Sequence, residues 1–269
     1  MTSRTGLIES FKDTQRMIRR DETLRSLTVK AQAGTILYLG GYEAMDPAVK
    51  TESPVFEVTG DTTFHCAQSY AGGSDKVAVL NFANAYSPGG GVVNGAMAQE
   101  ECLCRSSNLY AALTIPYLLK NYYKWNSKHT GDMGSDSVIY SPGVTVFKTD
   151  DPIPAEMSRW FSVDVLTCAA PYYDLNKKRP VSLEKLEEVF FARIRNILEV
   201  AAANDVDILI LGAFGCGAFN NPPELVAGVF RRLLVEKRYG RFFKKTVFAI
   251  KRNNAQNTNL LAFQDAFRD

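Results

Sequence analysis

At 269 residues, with 46% hydrophobic and 22% charged side chains, the chain has ordinary globular composition and is long enough to bury a large core. A formal net charge of +2 and a pI near 8.2 are too mild to imply, by themselves, a surface built for polyanions. No stretch is apolar for long enough to cross a bilayer, so no membrane partner is expected, and Met1-Thr2-Ser3-Arg4-Thr5 has no secretory character.

Taken in chain order, residues 7–29 carry Leu7, Ile8, Phe11, Met17, Ile18, Leu24 and Leu27 among many charges. That spacing predicts helices packed on a larger body, within an N-terminal helical extension over residues 1–50. Short apolar runs rich in β-branched residues follow at 77–80, 137–140, 161–166, 207–211 and 246–250. They are too short for independent helices and read as strands covered on both faces. Between them, residues 102–113 read as helical. Ser182 caps an amphipathic run to about residue 203, and Pro222 opens another to about 238. A last helix is expected over about 259–267. Strand and helix alternate through the second half, which predicts a single α/β domain over residues 1–269 with a mixed, largely parallel sheet. No internal repeat or low-complexity segment interrupts it.

Cys66, Cys102, Cys104, Cys168 and Cys216 are odd in number and lack zinc-ribbon spacing, so they read as reduced thiols in a cytoplasmic protein, or a nuclear one in a eukaryotic cell. His65 and His129 are the only histidines, and neither a metal site nor a cofactor is expected. Basic runs at Arg19-Arg20, Lys177-Lys178-Arg179, Arg231-Arg232 and Lys244-Lys245 are scattered and read as solvated surface rather than a nucleic-acid site. The aromatics around Tyr122-Tyr123, Trp125 and Trp160 read as core or rim.

Two of the expected strands run into glycine-containing loops. The run 77–80 leads to Asn81-Phe82-Ala83-Asn84-Ala85-Tyr86-Ser87-Pro88-Gly89-Gly90-Gly91, and the run 207–211 leads to Gly212-Ala213-Phe214-Gly215-Cys216-Gly217-Ala218-Phe219. In open α/β sheets ligands sit beyond the carboxyl ends of strands, and glycine lets backbone N–H groups approach an anion. Neither loop matches the P-loop or dinucleotide pattern, which weakens ATPase and dehydrogenase readings. Gln99-Glu100-Glu101 follows the first loop at a helix start, where acids also suit the helix dipole. Side chains of helical neighbours point about 100° apart, so Glu100 and Glu101 are expected to do different jobs. Cys216 has no histidine near it in sequence and reads as a small residue in a tight turn.

These residues resemble the signature of the poly(ADP-ribose) glycohydrolases: Gly89-Gly90-Gly91, seven residues, then Gln99-Glu100-Glu101. Phe82-Ala83-Asn84, Gly215-Cys216-Gly217-Ala218-Phe219, and the stretches 140–147 and 167–171 are similar to the shorter, bacterial-type branch. The resemblance implies a macrodomain fold, an α/β/α sandwich with extra N-terminal helices, that takes ADP-ribose or poly(ADP-ribose), including ADP-ribosylated proteins. It implies Glu101 as the acid that protonates the ribose–ribose oxygen, with Glu100 and Asn84 holding hydroxyls of the distal ribose. Backbone amides of Gly89, Gly90, Gly91 and Val92, and of Gly215, Cys216 and Gly217, would cradle the diphosphate. Gln99 falls among the substrate-binding residues and Phe219 would pack on the ribose; Tyr172 or Tyr173 could touch the adenine. The chain lacks the large helical domain of animal-type enzymes, which implies cleavage from chain ends, by a monomer. Two other readings share the loops: a macrodomain that binds ADP-ribose without cleaving it, and a hydrolase removing single ADP-ribose units from protein or nucleic acid. The paired acids speak against the first, and a panel of modified substrates separates the second.

Overall fold

The computed structural model describes residues 3–149, 154–174, 176, 181–252 and 257–268; the basic run 177–179 lies outside the described residues. Two helices lead, α1 (Arg4–Arg20) and α2 (Glu22–Gly34). Ser3 caps α1 by accepting from the Gly6 N–H, and Asp21 caps α2 by accepting from the Leu24 N–H. Then come β1 (Ile36–Tyr38), β2 (Val55–Thr59), α3 (Thr63–Gln68), β3 (Val77–Phe82), α4 (Gln99–Ser106) and α5 (Leu109–Leu113). A helical stretch follows, made of α6 (Pro116–Leu118), a π turn (Leu119–Tyr123) and α7 (Lys124–His129). The second half holds β4 (Val138–Lys148), β5 (Glu156–Cys168), α8 (Leu183–Ala203), β6 (Ile208–Leu211), α9 (Pro223–Arg231), β7 (Lys245–Ala249) and α10 (Thr258–Ala266).

The strands form one seven-stranded sheet in the order β1-β4-β5-β3-β6-β7-β2. From β5 through β2 every pairing is parallel, while β4 runs antiparallel to both β1 and β5. The mixed, largely parallel sheet expected from the sequence is therefore present. Alternation along the strands separates two cores. Ala78, Leu80, Leu209, Leu211 and Phe248 face α8, α9 and α10. Val77, Val79, Ile208, Ile210 and Val247 face Leu103, Leu109, Leu118 and Tyr122 on the other side. Both faces are covered, which is why these strands read as continuous apolar runs.

Three expectations need correction. Residues 1–50 are not only a helical extension: β1 lies within them and pairs with β4, Ile36 opposite Tyr140. The helix expected over 102–113 is broken at Ser107, which bridges to Val146; beside it Asn108 exchanges hydrogen bonds with Thr145, accepting at Oδ1 from its N–H at 2.9 Å. The helix expected to run to residue 238 ends its α-form at Arg231 and continues as a π turn, Arg232–Glu236. β1 and β2 gave little sequence signal because they are the sheet's edge strands and half-exposed.

Phe248 anchors the aromatic cluster beneath α9 and α10, with ring centroids 5.3 Å from Phe230, 5.1 Å from Phe263 and 4.6 Å from Phe267. Phe248→Ala should destabilise the fold by about 3–5 kcal/mol, the usual cost of a deleted core phenylalanine. Urea unfolding checks this, and a loss under about 1 kcal/mol would show that the site collapses without a cavity.

Candidate active site

β3, β5 and β6 are parallel neighbours, so the loops that follow them leave the same edge of the sheet. The first loop returns into α4, and Gln99 at the start of that helix ties it back to the strand. Its Nε2 donates to the Leu80 carbonyl at 2.8 Å and to Thr63 Oγ1 at 3.0 Å, and its Oε1 accepts from the Phe82 N–H at 2.9 Å. Gln99 was expected to touch substrate. The structure instead commits both ends of its amide to β3 and α3, which makes it a bracket for the two acids that follow.

Glu100 is 2% exposed and both its oxygens are engaged. Oε2 accepts from the Asn84 N–H at 2.7 Å; Oε1 accepts from the Gly89 N–H at 3.2 Å and faces Asn81 Nδ2 at 3.4 Å. Burial pushes this carboxyl up to about 8, outweighing the donors from Asn84, Asn81 and Gly89 that favour the ionised form; neighbouring Glu101 pushes the same way. Glu101 is 7% exposed and held at one oxygen only, Oε1 accepting from the Gly91 N–H at 2.8 Å. Its Oε2 is buried and has no hydrogen-bond partner among the described residues. The helical offset separates the pair: Glu100 staples the loop, and Glu101 keeps one oxygen without a partner among the described residues.

The glycines make this clasp sterically feasible. Gly90 sits at φ +56°, and a Cβ there would lie 2.5 Å from Glu101 Oε1 and 3.1 Å from Glu100 Oε2. The same contacts correct one expectation. The N–H groups of Gly89 and Gly91 donate to Glu100 and Glu101, that of Gly90 to the Ser87 carbonyl at 3.0 Å, and that of Val92 to the Gly89 carbonyl at 3.1 Å. All four are already engaged inside the chain, so this loop holds the acids rather than presenting a free anion cradle. Asn84 Oδ1 likewise accepts from the Tyr86 and Ser87 N–H groups, and its Nδ2 has no partner among the described residues.

The second loop differs. Cys216 N–H donates back to Ala213, but the N–H groups of Gly215, Gly217, Ala218 and Phe219 have no partner among the described residues. Gly215, at φ +76°, passes so close to the neighbouring loop that a Cβ would lie 2.5 Å from Ala170 Cβ. Asn221 fixes that approach, its Nδ2 donating to the Pro171 carbonyl at 2.8 Å and to the Gly215 carbonyl at 2.9 Å. The Tyr173 N–H donates to the Phe219 carbonyl at 3.0 Å, and the Tyr172 and Phe219 rings meet edge to face at 6.0 Å. Burial pushes the Cys216 thiol up to about 12, which suits a packed residue and not a nucleophile. α9 begins at Pro223 after Pro222, so two positions at its start carry no N–H to offer an anion.

A separate cleft of about 340 Å³ lies beyond Thr62, lined by Phe64, Met157, Phe161, Lys251 and Arg252 among others; neither glutamate lines it. Among the described residues no three His, Cys, Asp or Glu side chains cluster as metal ligands would, and no helix is long and apolar enough to cross a membrane.

Sequence reasoning missed four supporting residues. Asn81 and Thr63 sit behind the acids, and Asn221 joins two loops. Arg105, 1% exposed, donates from Nη1 to the Ala96 carbonyl at 2.6 Å and from Nη2 to Cys102 Sγ at 3.3 Å, pinning the loop to α4. A polar Asn81 closing an apolar strand was the one signal that could have flagged the first of them.

The family described as microbial-type PARG, catalytic domain, matches residues 10–149. A search of curated proteins finds no match. Among solved structures, poly(ADP-ribose) glycohydrolase from Thermomonospora curvata is 31% identical, with a TM-score of 0.84 over 97% of this chain and 99% of its own. The same organism's enzyme bound to the inhibitor ADP-HPD gives 33% identity and a TM-score of 0.82, over 97% of this chain and 99% of that one. The glycohydrolase from Deinococcus radiodurans in complex with ADP-ribose gives 33% identity and a TM-score of 0.78, over 90% of this chain and 97% of that one.

The raised Glu100 carboxyl makes stability depend on pH. Its folded value near 8 lies above the ordinary 4.5, so the folded state holds the extra proton in that interval. The contribution is complete below the lower value and is lost as pH rises through the upper one. Between pH 5 and 8 the wild type should lose a few kcal/mol, up to about 1.4 per pH unit, relative to Glu100→Gln. Urea unfolding across that range checks it; parallel curves for the two proteins would contradict it.

Proposed function

The chain belongs to the microbial-type poly(ADP-ribose) glycohydrolase family, and from that membership we infer that it hydrolyses the ribose–ribose O-glycosidic bonds of poly(ADP-ribose) and releases ADP-ribose. The observation that carries the chemistry to a particular atom is Glu101 Oε2, a buried carboxyl oxygen without a partner among the described residues, beside loop amides from Gly89 to Val92 that are all engaged. A general acid must reach the leaving oxygen, and an oxygen already tied down cannot.

In this reading Glu101 gives its proton to the bridging ribose oxygen as the bond to the anomeric carbon breaks. The proton leaves with the departing ribose hydroxyl. The remaining sugar passes through an oxocarbenium-like state, and water adds to the anomeric carbon, returning a proton to the carboxylate. Glu100 holds the loop, and Asn84 Nδ2 beside it meets a hydroxyl of the distal ribose. The diphosphate rests on the N–H groups of Gly215, Gly217, Ala218 and Phe219, which have no partner among the described residues. Phe219 packs on the distal ribose. Tyr172 meets Phe219 edge to face, so the two rings wall the same part of the site. Attack at chain ends, including the ends of polymers carried on proteins, follows from the likeness to the shorter branch.

Purified protein incubated with poly(ADP-ribose) should release ADP-ribose, and Glu101→Gln should lower kcat by about 10²–10⁴. Equal activity from the two proteins would remove Glu101 from this role. Gly90→Ala, which drives a methyl group into Glu101 Oε1, should lower kcat about 10²-fold through misplacement alone. Full activity in that variant would show that the Gly91–Glu101 clasp does not set the geometry.

A further inference from the structure

The helical stretch 116–129 has a feature that the chemistry above leaves unused. Its π turn rotates Tyr122, Tyr123 and Asn126 inward, and the outer side carries Lys120, Lys124 and Lys128, all exposed. Tyr117, 57% exposed, and Trp125, 46% exposed and stacked on His129 at 4.8 Å and 25°, stand among them. Lysines on a helix surface are ordinarily just solvated. Two observations set these apart. No Asp or Glu occurs between residues 102 and 131, and none of the three lysines has an ion-pair partner among the described residues. Two helix lysines elsewhere are paired locally, Lys12 with Glu9 and Lys185 with Glu188, while Lys30 in α2 stands alone rather than in a row.

The stretch also borders the catalytic loop. Asn126 Nδ2 donates to the Ala85 carbonyl at 3.2 Å, and the Tyr86 hydroxyl donates to the Gly131 carbonyl. Ala85 follows directly on Asn84, whose N–H holds Glu100. A cationic face with interleaved aromatic rings therefore continues from the rim of the site.

We propose that this face is a track for the part of a poly(ADP-ribose) chain that lies outside the catalytic site, its lysines meeting diphosphates and Trp125 and Tyr117 stacking adenines. The proposal rests on the glycohydrolase reading. Each further unit of that polymer brings two phosphate charges and one adenine, the chemistry this face complements. A polymer whose terminal unit sits against Glu101 must leave the site across the neighbouring surface. The alternation of lysine and aromatic residues is hidden in a chain of mild net charge because the lysines recur at every fourth residue instead of forming a run.

The test is the triple variant Lys120→Glu, Lys124→Glu, Lys128→Glu, compared with wild type on a long polymer and on a two-unit substrate. Three phosphate contacts predict that raising salt from 50 to 200 mM weakens wild-type affinity for long polymer about 20- to 40-fold. At 50 mM salt the variant should show a KM for long polymer raised at least several-fold, a flatter salt response, and unchanged kcat and KM on the two-unit substrate. Trp125→Ala should raise the polymer KM while leaving the salt response intact. An unchanged polymer KM in the triple variant, or an equal rise on the two-unit substrate, overturns the track. Direct binding of end-labelled polymer, read by fluorescence anisotropy, keeps this separate from the activity: a wild type that cleaves neither substrate sinks the glycohydrolase reading, while charge-sensitive polymer binding still decides the track. Single-stranded RNA that competes as well as polymer at equal phosphate would assign the face to nucleic acid and overturn the proposal.

Discussion

The site depends on a clasp between two adjacent carboxyl groups and the backbone of the loop that precedes them. Gly89 and Asn84 donate to Glu100, and Gly91 donates to Glu101. These backbone hydrogen bonds are formed away from water, where a low local dielectric strengthens them and leaving them unmade is costly. The clasp demands glycine at position 90, because a side chain there would occupy the space of both acids. Glu100 is raised toward neutrality by burial, which eases the cost of placing two acids side by side.

Much of the surrounding structure keeps that clasp in register. Gln99 brackets α4 to the end of β3, and Arg105 pins Ala96 from below. The N-terminal helices contribute as well: Arg4 Nε donates to the Asn94 carbonyl at 2.7 Å, and Thr14 Oγ1 donates to the Arg105 carbonyl. The leading helices thus act on the catalytic loop, two steps removed from the chemistry. The second glycine loop is complementary, since its N–H groups are the ones left open. One loop holds the acids and the other is available for the anion.

The sheet was legible in the sequence because its central strands are buried on both faces and read as uninterrupted β-branched runs. β1 and β2, at the edges, were not. The acids and both loops were legible from their spacing, and the helical offset of adjacent residues already implied that the two acids point differently. The fate of the loop amides was not. Glycine at positions 89 to 91 signals freedom of backbone approach without saying whether the approaching group is a ligand or the protein's own carboxylate. Thr63 and Asn221 were invisible for a related reason: a single polar residue acquires its role only when folding brings a partner from another loop.

The central claim is that the first loop serves the acids and the second serves the diphosphate. A crystal structure of the protein with ADP-ribose bound tests it directly. The account predicts phosphate oxygens within hydrogen-bond distance of the N–H groups of residues 215 and 217–219, the Gly91–Glu101 bond retained, and Glu101 Oε2 facing the anomeric carbon. Phosphates seated instead on the amides of residues 89–92, with the bonds to Glu100 and Glu101 broken, would contradict it.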